Sequence, residues 1–203
     1  MNNSHEYWSS RTEEADGNRP NTYTNASRKQ HTEIYANLQP YINENSNILE
    51  IGCNVGRNLN HIYHQGCKNL TGIEINPNAI DVGKNHYKEL YADPSVHIEV
   101  GVARTFLSNN SNHYDAVFTL AVLQHMMTEE QQFVLNWIAT HSQCACFIEM
   151  RKSPPPTRWP SHDGYFHNGV KDYSLLTNKG FKIIDEKVSS TLGLGYTKTL
   201  LVK

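Results

Sequence analysis

Two carboxylates and a glycine-bracketed turn are the residues of this chain best placed for chemistry. Ile48-Leu-Glu-Ile-Gly-Cys-Asn-Val-Gly56 reads as a short strand, a tight loop running from Gly52 to Gly56, and the start of a helix. Glycine at those two positions permits backbone torsions that other residues resist and lets a ligand approach closely. Asn54 stands between them, and Asn is a non-glycine residue that tolerates positive φ. Glu74 ends the next strand, 22 residues after Gly52. An acid at that spacing is placed to accept both hydroxyls of a ribose. Glu50 lies just before the loop, where its charge suits a ligand amine better than a pyrophosphate. A dinucleotide would use the same loop and acid. However, Arg57 and Asn58 stand where the third glycine of G-x-G-x-x-G would fall, and 203 residues leave no room for a separate substrate domain.

Three further groups of residues could act on a second molecule. His125 follows a strand end, and histidine has the right unperturbed pKa to accept a proton near neutral pH. The irregular stretch 151–168 holds Arg151, Arg158, Trp159, His162, Asp163, Tyr165 and His167. It follows a strand, where loops carry specificity, and it reads as aromatic walls with His162, Asp163 or His167 as orienter or base. His125 and His167 are the candidate bases. His162, Asp163 and His167 could chelate a metal, but a further spaced ligand is lacking, so no metal is expected. In residues 1–27, Tyr7, Trp8, Arg11 and Tyr23, with Arg28 just beyond, could form a lid, although this polar composition equally suits a disordered tail.

The elements that must position these groups follow from the hydrophobic pattern. Ile34, Tyr35, Leu38 and Ile42 share one helical face, and Pro40 predicts a helix end near Leu38. Strands are expected over 47–52, 69–75, 96–100, 114–120 and 143–150. Leu59, Ile62 and Tyr63 form a helical face ended by Gly66. Asn76-Pro77 reads as N-cap and first helical residue of a helix running towards Tyr91, with Ile80, Lys84 and Tyr87 on one side. Thr128-Glu-Glu-Gln131 reads as a capping box before the stripe Phe133, Val134, Trp137 and Ile138. A last helix is expected over 170–179, then strands over 181–188 and 196–202. Alternating strands and helices imply a parallel α/β sheet with helices on both faces, and the final pair implies an antiparallel hairpin at one edge. The ligand then belongs at the C-terminal strand ends.

Composition narrows the partners. The net charge is −2 and 19% of residues are charged, yet mean hydropathy is −0.60, because 22 Asn, 11 His and 11 Tyr supply uncharged polarity. No basic excess exists for DNA or bulk RNA. No apolar run approaches the roughly 20 residues that span a bilayer, and without a basic region or apolar stretch at the N-terminus no secretory signal is expected. Cys53, Cys67, Cys144 and Cys146 lack C-x-x-C spacing, so buried reduced thiols in a cytoplasmic protein are expected, with Cys144 and Cys146 on one strand face.

Together these residues resemble the class I S-adenosylmethionine-dependent methyltransferases. Glu50-Ile-Gly-Cys-Asn-Val-Gly56 is similar to that family's first motif, Gly72-Ile-Glu74-Ile-Asn-Pro to its second, and Tyr114–His125 to its fourth strand and substrate-facing loop. The resemblance implies a Rossmann-like seven-stranded sheet of order 3-2-1-4-5-7-6 with strand seven antiparallel. It implies S-adenosylmethionine as cofactor and S-adenosylhomocysteine as product. The cofactor would lie on Glu50, Gly52, Cys53, Asn54, Gly56 and Asn58, on Glu74 and Ile75, on Val102 and Ala103, and on Leu120 and Ala121. Two positions depart from the pattern. Asn54 replaces the middle glycine, and Val102 stands where an acid often meets the adenine amino group.

The expected organisation is one domain over 1–203: a lid and cap helix over 1–45, a cofactor half over 46–150, and a substrate loop, last helix and hairpin over 151–203. The expected activity is methylation of an O or N atom of a small polar or aromatic metabolite by a monomer or homodimer, with no DNA or membrane partner. Methylation of a peptide, protein or RNA, and a non-catalytic cofactor-binding module, are the alternatives.

Overall fold

Strand-forming Ile, Leu and Val run through the middle of the sequence in short segments bounded by Gly, Asn and Pro, and these segments assemble side by side. The computed structural model describes residues 3–25, 29–150, 168–170, 172–192 and 195–203. Its strands are β1 (Ile48–Ile51), β2 (Leu70–Glu74), β3 (Val96–Val100), β4 (Tyr114–Leu120), β5 (Ser142–Met150), β6 (Lys182–Val188) and β7 (Tyr196–Val202). They form one seven-stranded sheet of order β3-β2-β1-β4-β5-β7-β6. The pairs among β1 to β5 are parallel, and β7 runs antiparallel to both β5 and β6. The architecture is therefore the one expected from the resemblance.

Every residue of central β1 is buried, as expected for a parallel strand covered on both faces. Alternation then divides the core in two. Leu49, Ile51, Val117, Ala145 and Phe147 join one apolar cluster, and Ile48, Ala116, Phe118, Cys144 and Cys146 join the other. Cys144 and Cys146 thus share a face, and all four thiols are buried and free.

The helices are α1 (Asn3–Ser9), α2 (Gln30–Leu38), α3 (Arg57–His64), α4 (Pro77–His86), α5 (Lys88–Ala92), α6 (Ala103–Ser108), α7 (Thr128–His141) and α8 (Ser174–Thr177). Asn76 caps α4 by accepting from the Asn78 N–H, with Pro77 at the first turn. Four expectations need correction. The helix from Pro77 breaks at Tyr87, whose φ and ψ are −112° and 55°. Lys84 is exposed, and buried Gly83 faces inward, where a Cβ would come within 2.4 Å of the Val55 carbonyl and the Tyr91 hydroxyl. The Thr128 capping box does not form: Met127 is the N-cap and makes no side-chain cap bond. Gln131 instead sends its amide to the carbonyls of Leu123 (2.7 Å) and Asn168 (2.6 Å). The last helix is one turn, Ser174–Thr177, because Val170 and Tyr173 are spent on the core beneath it. The short α6 carried no cap or long apolar stripe and was not anticipated.

Residues 3–25 are structured, in contrast to a disordered tail. They comprise α1 and a 3-10 turn, Pro20–Tyr23. The Asn76 and Asn78 side-chain amides donate to the Arg11 carbonyl (2.9 and 3.1 Å), and the Tyr87 hydroxyl donates to the Thr24 carbonyl (3.2 Å). Tyr7 is buried, with Arg11 over its ring.

Candidate active site

The turn after β1 is shaped by three positive-φ residues: Gly52 at 75°, Asn54 at 50° and Gly56 at 83°. Gly52 has a second constraint, since a Cβ there would lie 2.4 Å from Val122 Cγ2. Asn54 tolerates its torsion and also braces it, its Oδ1 accepting the Val55 N–H at 2.9 Å. The turn is tied to β2 by the Gly52 and Cys53 N–H groups, which donate to the Ile73 carbonyl.

Glu74 sits at the end of β2, buried, with its carboxylate shared between two loops. Oε2 accepts the Asn54 N–H (2.8 Å) and Oε1 accepts the Asn76 N–H (2.9 Å). Each oxygen has a further lone pair, so two ligand hydroxyls can still be accepted. Burial raises its pKa, partly offset by these backbone donors. Glu50 is 1% exposed. Its Oε1 accepts the Asn58 amide at 2.6 Å, and its Oε2 has no partner, nor has Asn58 Oδ1. Desolvation pushes the Glu50 pKa up to about 8, against the lowering influence of Asn58 and Arg57. Burial pushes the Cys53 thiol up strongly, which removes it as a thiolate nucleophile.

The loop after β4 is held by a residue the sequence reading overlooked. Glu149, fully buried on β5, accepts from the Thr119 hydroxyl (2.7 Å), the Val122 N–H (3.0 Å) and the Gln124 N–H (3.4 Å). Burial raises its pKa to about 7. An acid inside the apolar run of residues 144–150 was a usable signal. The tether holds Ala121 at φ 57°, rare for a residue with a Cβ. Gln124 then fixes His125. Gln124 Oε1 accepts the Met150 N–H (3.3 Å), so its amide nitrogen faces the Tyr196 hydroxyl (3.2 Å) and His125 Nε2 (3.3 Å). With that orientation His125 Nε2 is an acceptor and the ring proton belongs on Nδ1. The ring rests against Trp8 at 4.8 Å.

These pieces enclose a cavity of about 400 Å³. Glu50, Gly52, Cys53, Asn54, Asn58, Glu74, Ile75, Val102, Ala103, Leu120 and Ala121 line it, as do His125, Trp8 and Tyr23. Three anticipated residues are not on the wall. Arg11 lies over the Tyr7 ring and donates to the Tyr7 carbonyl. Gly56 is the N-cap of α3 and packs towards Leu90 and Tyr91. Tyr7 stands behind Trp8, edge-on to its ring, and its hydroxyl accepts from the Asn18 amide. Arg28, Arg151, Arg158, Trp159, His162, Asp163, Tyr165 and His167 lie outside the described residues. Sequence reasoning missed His5, Gln30, Arg57, Gln124, Glu130, Leu192 and Tyr196, which also line the cavity. Among the described residues, no group of three His, Cys, Asp or Glu is placed to hold a metal, and no helix is long and apolar enough to cross a membrane.

The cavity lies at the C-terminal ends of β1, β2 and β4, the ligand position of an open α/β sheet. Residues 48–143 match the family model described as a methyltransferase domain. The chain superposes on the magnesium protoporphyrin IX methyltransferase of Synechocystis PCC 6803 with bound SAM at a TM-score of 0.71, with 18% identity and 100% and 98% of the two chains covered. It superposes on the N-methyltransferase NodS of Bradyrhizobium japonicum WM9, in complex with SAH, at 0.68, with 17% identity and 100% and 99% covered. The [4+2]-cyclase SpnF superposes at 0.67, with 13% identity and 88% and 82% covered. No curated protein sequence matches significantly. Sheet order and site position define a class I S-adenosylmethionine-dependent methyltransferase fold. Within it, residues 48–143 are the part that matches the methyltransferase domain.

Proposed function

We propose that the whole chain is one domain that transfers a methyl group from S-adenosylmethionine to an O or N atom of a small polar or aromatic metabolite. The observation that carries the reading is the pair of buried carboxylates at adjacent strand ends, opening into one cavity. The donor set fits the cofactor. Glu50 Oε2 and Asn58 Oδ1 are unpartnered acceptors suited to an ammonium, and Glu74 retains lone pairs for the ribose hydroxyls. Gly101, Val102 and Ala103 border the same cavity and form the adenine wall without an acid.

When bound, the cofactor supplies a methyl carbon already activated by a sulfonium. The protein's own work is alignment and exclusion of water. Trp8, Tyr23 and the loop through Gln124 and His125 wall the acceptor's side. His125 Nε2 is engaged by Gln124, so His125 acts chiefly as wall and orienter, and it takes a proton only if that bond opens. His167, the other candidate base, remains a candidate on its sequence position alone. Four buried thiols suit a reducing compartment, and the cytoplasm is the proposed location.

The test is calorimetric titration with S-adenosylmethionine and S-adenosylhomocysteine. Binding of both is expected, and binding of neither sinks the reading. The similarity to a cyclase keeps a second reading in play, a binding module without methyl transfer. It predicts tight binding with no turnover on any acceptor.

A further inference from the structure

One part of the cavity wall is not used by the cofactor anchors. It is made by α1 and the first turn of α7, which meet through His5 and Glu130. We propose that Glu130 recognises the methyl acceptor and that the acceptor is a small basic amine, an inference that rests on the methyl-transfer reading above.

An acid in the first turn of a helix ordinarily serves the helix dipole from the surface, as the exposed neighbour Glu129 does. Glu130 does not. It is 6% exposed and lines the cavity. His5 Nε2 lies 3.1 Å from its Oε2, while its Oε1 is buried with no partner. A buried carboxylate oxygen left without a donor is costly, and a ligand N–H is what would satisfy it. The amide oxygen of Gln30, on the same cavity, is a second buried acceptor without a partner. Among the described residues, the wall carries the carboxylates Glu50, Glu74 and Glu130 against one guanidinium, Arg57. Trp8 presents an aromatic ring on the same side, next to His125. A desolvated carboxylate on a wall that also carries an aromatic ring favours a cation over a neutral hydroxyl.

The experiment titrates phenethylamine and its hydroxyl counterpart, 2-phenylethanol, into the full chain, with and without S-adenosylhomocysteine. The amine is expected to bind about tenfold tighter or more. Glu130→Gln should weaken the amine roughly 10- to 100-fold, erase the preference, and leave the affinity for S-adenosylhomocysteine unchanged. Equal binding of the two probes, no binding of the amine in either state, or a preference that survives Glu130→Gln overturns the proposal. The wild-type comparison stands even if the variant fails to fold. Failure of S-adenosylhomocysteine to bind overturns the methyl-transfer reading instead, and the ligand-free titration still tests Glu130.

Discussion

Glu50 is a carboxylate held in a place that disfavours its charge. Burial raises its pKa to about 8, well above the ordinary value of 4.5. In the proposed function a ligand ammonium on Oε2 would restore what desolvation removed, so the charged form would be the one that binds. Binding of S-adenosylmethionine should therefore strengthen as pH rises from about 6.5 towards about 8, where the ligand's own α-ammonium begins to lose its proton, and should release a proton below that. Calorimetry in two buffers of different ionisation enthalpy reads both. Glu50→Gln should weaken binding about tenfold or more, because a charge-assisted bond becomes a neutral one. Gly52 is constrained by torsion and by space. Gly52→Ala must hold φ at 75° and drive a methyl to 2.4 Å from Val122. Strain and overpacking together predict a loss of roughly 2–5 kcal/mol by denaturant unfolding. Adding Val122→Ala should recover the packing part only.

Among the elements, α2 and the β6–β7 connection are pinned together by one side chain. Glu33 accepts from the Ser189 hydroxyl (2.8 Å), from the Ser190 and Thr191 N–H groups (2.9 and 3.2 Å), and from the Thr191 hydroxyl. Its carboxyl is held below the ordinary value: burial raises it, and the hydrogen bonds from Thr191, Ser190 and Ser189 outweigh that. Because the folded pKa is depressed, its contribution is present above pH 4.5 and is lost as pH falls through the folded value. Glu33→Ala should cost roughly 1–3 kcal/mol at neutral pH, with the gap to wild type closing in acid. Thermal unfolding against pH measures it. The same connection carries Leu192 onto the cavity wall, so the variant should also loosen ligand binding.

The whole molecule concentrates buried acid at one end of its sheet. Glu50 and Glu149 both have raised pKa values, about 8 and about 7. A raised carboxylate contributes stability that is full below its unfolded value and is lost as pH rises through the folded one. The ligand-free protein should therefore lose Tm between pH 5 and pH 8, the range in which many proteins are most stable. S-adenosylhomocysteine should flatten the slope by pairing with Glu50, and Glu50→Gln should flatten it without ligand. An unchanged slope in that variant would rule out Glu50 as the source. The N-terminal segment closes the same end of the sheet, its Arg11 carbonyl held by Asn76 and Asn78 at the start of α4.

What the sequence determined by itself was the alternation of strands and helices, the positive-φ turn after β1 and the acid that ends β2. Those are local facts: apolar runs with period two, a glycine where only positive φ fits, Asn-Pro opening a helix, an acid at a fixed distance from a turn. The thiol pair sharing a strand face follows from the same period. The pairings that build the opposite wall of the cavity were decided by tertiary structure. His5 meets Glu130 across 125 residues, and Gln124 meets Tyr196 across 72. Neither pairing leaves a trace in local spacing. Gln131 shows the difference in one residue. Its position after Thr128 read as a helix cap, yet its amide is spent on the nearby carbonyls of Leu123 and Asn168, which tie the start of α7 to the loop after β4 and to the chain at residue 168. Local rules carry the elements, whereas a binding wall is built from whichever distant side chains the packed elements leave facing one another.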